Sequence, residues 1–212
     1  MNLLNKFNVH ESSEFHKKGY FILKNSFDQS EIKRAQNSFF EIKRNAKKGS
    51  YPFIRVYDDY SALRNLSGIE MTFNEQILSQ EIFNFIEKSR LLEITKSMIG
   101  DNLELELSRY HVTENFTHVG NWHRDNQISS QMDTIQANLY LFDEKGMQIL
   151  DNSHNKEVED EQEIKRTPHL SLKNSKWIET KAGDLLFFNP SILHRGISLK
   201  PRANIPILDL EN

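Results

Sequence analysis

The sequence predicts an α+β fold that is mainly β, with helices gathered in the first half and strands in the second. Three observations carry that expectation. Apolar residues recur at steps of three and four before Gly100, and after it in alternating or short continuous runs, which are helix and strand periods. No crossover helix separates the later strands, so an antiparallel sandwich or barrel is expected rather than a parallel sheet. A chain of 212 residues that is 37% hydrophobic, with 14 Phe, has enough apolar side chains for one domain with a sizeable core.

Residues 11–24 read as a short helix around Phe15 followed by an apolar strand from Gly19 to Lys24, and Asn25 to Asp28 turn the chain. From Gln29 to Lys48, the positions Ile32, Ala35, Phe39, Ile42 and Ala46 mark one face of a helix. Its opposite face, with Lys33, Arg34, Lys43 and Arg44, reads as solvated, and Gly49 stops it. Residues 51–75 mix aromatic, charged and turn residues without a sustained period and are expected to be an irregular connection. Two helices fit 79–88 and 90–99, the second with Ser89 as N-cap and Gly100 as terminal glycine. Residues 1–100 thus form a helix-rich support within a single domain, 1–212.

Beyond Gly100, eight strands are expected near 103–112, 118–124, 134–142, 146–150, 176–180, 184–189, 193–199 and 205–210, for which a cupin-like jelly roll is the natural arrangement. The segment Asp151 to Asn174 is too polar for a core and too long for a simple hairpin. It is expected to be a mobile loop and a candidate lid.

Composition narrows the chemistry. A net charge of −3 offers no basic footprint for nucleic acid. No apolar run is long enough to cross a bilayer and the first residues lack a signal-peptide core, so no membrane partner and a cytoplasmic location are expected. With no Cys, thiolate metal sites and cysteine nucleophiles are excluded. Any metal must be held by His and carboxylate, donors that suit Fe(II), Mn(II) or Zn(II).

The sharpest local feature is Trp122-His-Arg-Asp125. On a strand, residues i and i+2 share a face, so His123 and Asp125 can converge on one ion. Alone it is weak, because chance supplies about 0.4 His-x-Asp matches in such a chain. A second feature lies 71 residues later, where the apolar run Leu185 to Phe188, a turn at Asn189-Pro190, and His194 at the start of another strand follow one another. Two His and one carboxylate form the facial triad of non-haem Fe(II) oxygenases, which leaves positions open for cosubstrate and O₂. Arg202 follows by 8 residues, and a guanidinium there can clamp a dicarboxylate through paired hydrogen bonds.

The chain resembles the phytanoyl-CoA dioxygenase family of Fe(II)/2-oxoglutarate-dependent oxygenases. Five ordered stretches carry the likeness: Phe15-His-Lys-Lys-Gly-Tyr-Phe-Ile-Leu-Lys24 with Ser30-Glu-Ile32; Leu91-Leu-Glu-Ile-Thr-Lys-Ser-Met-Ile-Gly100; Asn121-Trp-His-Arg-Asp125; Gly146-Met-Gln-Ile-Leu-Asp-Asn-Ser-His-Asn-Lys156; and Lys181 to Gly196. The resemblance implies a double-stranded β-helix in which His123, Asp125 and His194 bind Fe(II) and Arg202 binds the distal carboxylate of 2-oxoglutarate. It implies hydroxylation of an unactivated C–H bond with O₂ as cosubstrate and release of succinate and CO₂. Asp125 favours hydroxylation over halogenation, since related halogenases lack the carboxylate. Two departures stand out: the arginine follows the distal histidine more closely than is usual, and Pro-Gly-Ser-His is replaced by Asp151-Asn-Ser-His154.

On the strand 134–142, Gln136, Asn138 and Tyr140 share a face opposite Ile135, Ala137, Leu139 and Leu141. If the apolar side packs on the helices, Asn138 and Tyr140 line the interior and can contact 2-oxoglutarate or substrate; the alternative is that they face solvent. Ser198 shares parity with His194 and is a comparable candidate. Trp122 and Trp177 read as packing residues, and His154 as structural. A small, polar metabolite is the expected substrate, because 51–75 and 151–175 offer charges and aromatics without an apolar channel. The competing expectations are a cupin-like Zn(II) or Mn(II) hydrolase or isomerase, and a non-catalytic binding protein on the same fold. Oligomeric state is not legible.

Overall fold

A computed structural model of the chain describes residues 9–47, 54–61, 64–72, 91–99, 103–107, 109–113, 118–129, 134–167, 172–198 and 202–211. The first part contains α1 (Val9–Lys18), β1 (Tyr20–Leu23), α2 (Gln29–Lys47), β2 (Ile54–Ser61), β3 (Arg64–Thr72) and α3 (Leu91–Ile99). There follow β4 (Leu103–Leu107), β5 (Arg109–Thr113), β6 (His118–Val119), β7 (Thr134–Tyr140), β8 (Glu144–Leu150), α4 (Glu161–Arg166), β9 (Ser175–Thr180), β10 (Leu185–Phe188), β11 (His194–Ser198) and β12 (Arg202–Glu211).

These strands make two sheets, and every pair in them is antiparallel, as the lack of crossover helices predicts. The larger runs β1-β10-β7-β12-β5-β3-β2, with β4 also on β12; the smaller runs β6-β11-β8-β9. One apolar cluster takes Tyr140, Leu186 and Phe188 from the larger sheet, Met147, Ile149 and Ile178 from the smaller, and Ile192 from the turn before β11. The sheets therefore share a core. Each fully buried aliphatic there, such as Ile149 or Leu186, contributes about 1.5–3 kcal/mol of transfer free energy.

Local chemistry explains where the supporting elements begin and end. α2 starts on a reciprocal cap: the Asp28 side chain accepts the Glu31 amide at 2.8 Å, and the Glu31 carboxylate accepts the Asp28 amide at 3.1 Å. α1 stops at Gly19, whose φ of 84° suits glycine and whose amide closes on the Phe15 carbonyl at 2.7 Å. The carbonyls that α1 leaves unpaired at its end are met by the turn after β8. Asn152 donates its amide to Lys18 at 3.0 Å, and His154 donates Nε2–H to His16 at 3.0 Å. This gives the Asp151-Asn-Ser-His154 stretch its structural meaning, with Asn152 tolerating a φ of 61°.

A second fastening lies under β1. The buried Asp184 carboxylate accepts the amides of Asn25 at 3.0 Å and Lys181 at 2.8 Å, and pairs with Lys24 at 2.9 Å. The loop leaving β1 and the turn entering β10 are thereby held by one side chain.

The structure corrects several expectations. Residues 54–61 and 64–72 are an antiparallel hairpin, with β3 carried on β5 through register pairs such as Ile69 with Val112, and not an irregular connection. Asp58-Asp59 and Gly68 break the local alternation, and pairing to a strand some 40 residues away supplies what the local pattern lacks. The expected strand 103–112 is two strands, which pair with opposite ends of β12. Only His118 and Val119 of the expected strand 118–124 are strand, with His123 a single bridge. Where a mobile loop is expected, the described residues 151–167 contain α4, and its Ile164 is buried against Trp122 and Leu193. The expected helix 79–88 lies outside the described residues.

Candidate metal centre

His194 opens β11 directly after the turn that Asn189 organises. Its side chain accepts the Ser191 amide at 2.8 Å and its carbonyl the Ile192 amide at 2.9 Å. Across from it, His123 exchanges both backbone hydrogen bonds with His194, at 2.9 and 3.0 Å, so two residues far apart in sequence become a directly opposed antiparallel pair. Asp125 does not sit on a strand as the spacing suggested. It lies in a bend, where its amide donates to the Pro190 carbonyl at 2.9 Å.

The three side chains converge. The Asp125 carboxylate lies 3.6 Å from His123 Nε2 and 3.5 Å from His194 Nε2, and the donor atoms of all three lie within 4.8 Å of one another. Those separations are too long for good hydrogen bonds and short enough for one ion between them. The outer nitrogens are already committed: His123 Nδ1 bonds the Asn121 carbonyl at 2.8 Å, and His194 Nδ1 bonds the Ile192 carbonyl at 2.9 Å. A carbonyl can only accept, so each Nδ1 carries the proton and each Nε2 lone pair faces the centre, which is the orientation a metal-bound imidazole needs. Burial, then the neighbouring His123 ring, push His194 down to about 4, against the opposing pull of Asp125. It is therefore neutral and able to ligate near pH 7. Two imidazoles and one carboxylate without sulfur fit a divalent ion such as Fe(II).

The remaining candidates are placed less closely. Tyr140 is buried in the core between the sheets with Phe188, whose ring meets His194 edge-on at 5.2 Å. Asn138 shares its face and is half-buried, opposite Leu186 and Pro206. Of this face, Tyr140 lies in the core, while Gln136 and Asn138 are half-buried. Arg202 begins β12 opposite Thr113, and Asn204, two residues on, pairs with Tyr140, so position 202 belongs to the register face of Tyr140 and Asn138. Ser198 pairs with His118. The side chains of Ser198 and Arg202 lie outside the described residues.

Trp122 is fully buried, as a packing residue should be, whereas Trp177 is partly exposed beneath Lys145, 5.7 Å from its ring. Arg195 is buried and turned away from the centre. It donates to Gln148 Oε1 at 2.8 Å and lies 4.7 Å from the Trp122 ring.

Arg124 holds a place in the site that motif spacing does not assign to it. It stands between two candidate ligands, its side chain is 5% exposed, and it forks onto the Glu161 carboxylate at 2.7 and 2.6 Å. A long cation inside a short metal motif, at the position that must point away from the ion, was the available signal.

A profile of the phytanoyl-CoA dioxygenase family matches residues 15–198. No curated protein matches the sequence significantly. Among solved structures, the epimerase SnoN from nogalamycin biosynthesis, described as non-haem and α-ketoglutarate-dependent, is 16% identical with a TM-score of 0.69, over 95% of this chain and 82% of that one. EctD from S. alaskensis, with bound Fe, is 15% identical with a TM-score of 0.71, over 97% and 77%. HygX from Streptomyces hygroscopicus, with nickel and 2-oxoglutarate bound, is 14% identical with a TM-score of 0.71, over 97% and 88%. Among the described residues no helix is long and apolar enough to cross a membrane. With a match that spans most of its length, the chain belongs to the phytanoyl-CoA dioxygenase family of Fe(II)/2-oxoglutarate-dependent oxygenases.

Proposed function

We propose that this protein is an Fe(II)- and 2-oxoglutarate-dependent dioxygenase that hydroxylates an unactivated C–H bond of a small, polar metabolite. The observation that carries the reading is the convergence of His123, Asp125 and His194 with both Nδ1 protons parked on carbonyls. Fe(II), held by these three donors, supplies with 2-oxoglutarate and O₂ the oxidising power to convert R–H into R–OH while 2-oxoglutarate leaves as succinate and CO₂.

The chain's own residues bind and orient. His194 stays neutral through burial and offers its lone pair, Asp125 contributes the one negative charge, and the backbone pair of His123 with His194 holds the two rings in register. Arg202 is assigned to the distal carboxylate of 2-oxoglutarate, for which its register on the Tyr140 face is the support. Asn138, Tyr140 and Ser198 are assigned to contacts with cosubstrate or substrate. Tyr140 and Phe188 form part of the apolar wall near His194, which keeps water from the reacting atoms. In this reading the two sheets form a double-stranded β-helix, residues 1–212 act as one catalytic unit, and the protein works on a free small molecule in the cytoplasm, without nucleic acid or membrane.

The test is a screen of small polar metabolites with Fe(II), 2-oxoglutarate and O₂. Substrate-stimulated succinate formation with a product heavier by one oxygen is expected. Because SnoN is an epimerase on a similar fold, products are also examined for inverted stereocentres. Succinate formed with an isomerised product and no added oxygen replaces hydroxylation by epimerisation. Metal-dependent turnover without 2-oxoglutarate or O₂ overturns the oxygenase reading in favour of a Zn(II) or Mn(II) hydrolase or isomerase, and turnover stimulated only by long acyl thioesters overturns the polar substrate.

A further inference from the structure

The metal loop has two sides. His123 and Asp125 turn toward His194, whereas Trp122 and Arg124, the alternate residues, turn the opposite way, against the segment that follows β8. There all five N–H donors of the Arg124 guanidinium are engaged. Nη1 donates to the carbonyls of Ser153 and Ser191, Nη2 to the Lys156 carbonyl at 3.3 Å and Glu161 Oε2 at 2.6 Å, and Nε to Glu161 Oε1 at 2.7 Å.

The acceptors at Ser153, Ser191 and Glu161 lie on pieces of chain that also touch the metal loop or residues beside the candidate ligands. Ser191 immediately follows Pro190, whose carbonyl holds the Asp125 and Asn126 amides, and its hydroxyl donates to the Gln127 carbonyl at 2.6 Å. The Ser153 hydroxyl accepts the amide of Leu193, the neighbour of His194, at 2.8 Å. Behind them Ile164 of α4 packs on Trp122 and Leu193, which flank His123 and His194 in sequence. Asp125, carried on a bend rather than in a ladder, has the least regular backbone support of the three ligands and the nearest link to Arg124.

We infer that Arg124 is the positioning residue of the metal loop, and that residues 151–166 serve as a brace behind the centre, with Glu161 the anchor that orients the guanidinium, and not as a lid over it. This deepens the Fe(II) reading and rests on it. A lysine at 124 keeps the charge but supplies a single three-donor ammonium in place of a planar five-donor fork. Removing the charge of Glu161 leaves the guanidinium free to turn from the three carbonyls it holds.

The test is binding of Mn(II) by calorimetry and of Co(II) by its visible absorption, on wild type, Arg124→Lys, Glu161→Gln and His194→Ala, each first shown to be folded without metal at the assay temperature. Wild type is expected to bind, His194→Ala to lose binding, and Arg124→Lys and Glu161→Gln to bind about tenfold or more weakly with a changed Co(II) band. A merely structural role lowers the unfolding midpoint but leaves the affinity and band of the folded protein unchanged. Wild-type affinity and spectrum in both variants therefore overturn the inference and leave the Fe(II) reading intact. Absence of binding in wild type overturns both. If Arg124→Lys does not fold, Glu161→Gln decides alone.

Discussion

Replacing Glu161 by Gln keeps the side chain's size and removes its charge, so it isolates what the ion pair beneath the metal loop contributes to stability. The Arg124 guanidinium, with help from Lys165 at 2.7 Å, holds the Glu161 carboxyl at about 2 against an ordinary value of 4.5. Such a displacement corresponds to about 3 kcal/mol in favour of the fold with Glu161 ionised. The side chain is 14% exposed, and solvent screening at its open edge brings the expected net closer to about 2 kcal/mol. The sign follows from a folded value below the unfolded one: the contribution is fully present above pH 4.5 and is lost as pH falls from there toward 2. Urea unfolding of wild type and Glu161→Gln at closely spaced pH values reads this directly. The two curves should differ by about 2 kcal/mol near pH 7 and draw together below pH 4.5. A gap that stays constant down to pH 3, or no gap at pH 7, refutes the argument.

Two further predictions concern the fold that carries the site. Gly183 has a φ of 88°, and a Cβ there would stand 2.7 Å from Ile32 Cδ1; the methyl can yield but the dihedral cannot, so Gly183→Ala should lower stability by about 1–3 kcal/mol in a urea melt, and an unchanged midpoint contradicts this. His154 is held below its ordinary 6.5 chiefly by burial, with Nε2–H bonded to the His16 carbonyl and Nδ1 facing Gly19 without a hydrogen-bond partner among the described residues. Its contribution is complete above pH 6.5 and declines as acid forces a second proton onto the ring. A histidine titration by NMR should place its midpoint below 6.5, and a midpoint at or above that value contradicts the burial argument.

What the sequence disclosed depended on whether the information was local. α2 was legible because Ile32 and Ala35 repeat on a helix period, and both are buried. His123, Asp125 and His194 were legible because residue type and spacing carry the chemistry, although the bend at Asp125 was not. The β2–β3 hairpin escaped notice because its strands are completed by β5, which no local window reveals. The role of Arg124 escaped for the same reason: its acceptors include carbonyls 29 and 67 residues away, which leave no mark in a sequence, and a carboxylate 37 residues away that no local window joins to it. The polar composition of 151–174 suggested a mobile loop with no core contacts, yet its Val158, Ile164 and Leu172 pack with Trp122 and Leu193.

The central claim is that His123, Asp125 and His194 hold Fe(II) in a form that 2-oxoglutarate can chelate. Anaerobic titration of the metal-free protein with Fe(II) and then 2-oxoglutarate, following the weak visible charge-transfer absorption of the chelated keto acid, tests it most directly. The band is expected in wild type, absent in His194→Ala, and displaced to higher 2-oxoglutarate concentration in Arg202→Ala. A folded wild-type protein that shows no band at saturating Fe(II) and 2-oxoglutarate contradicts the account.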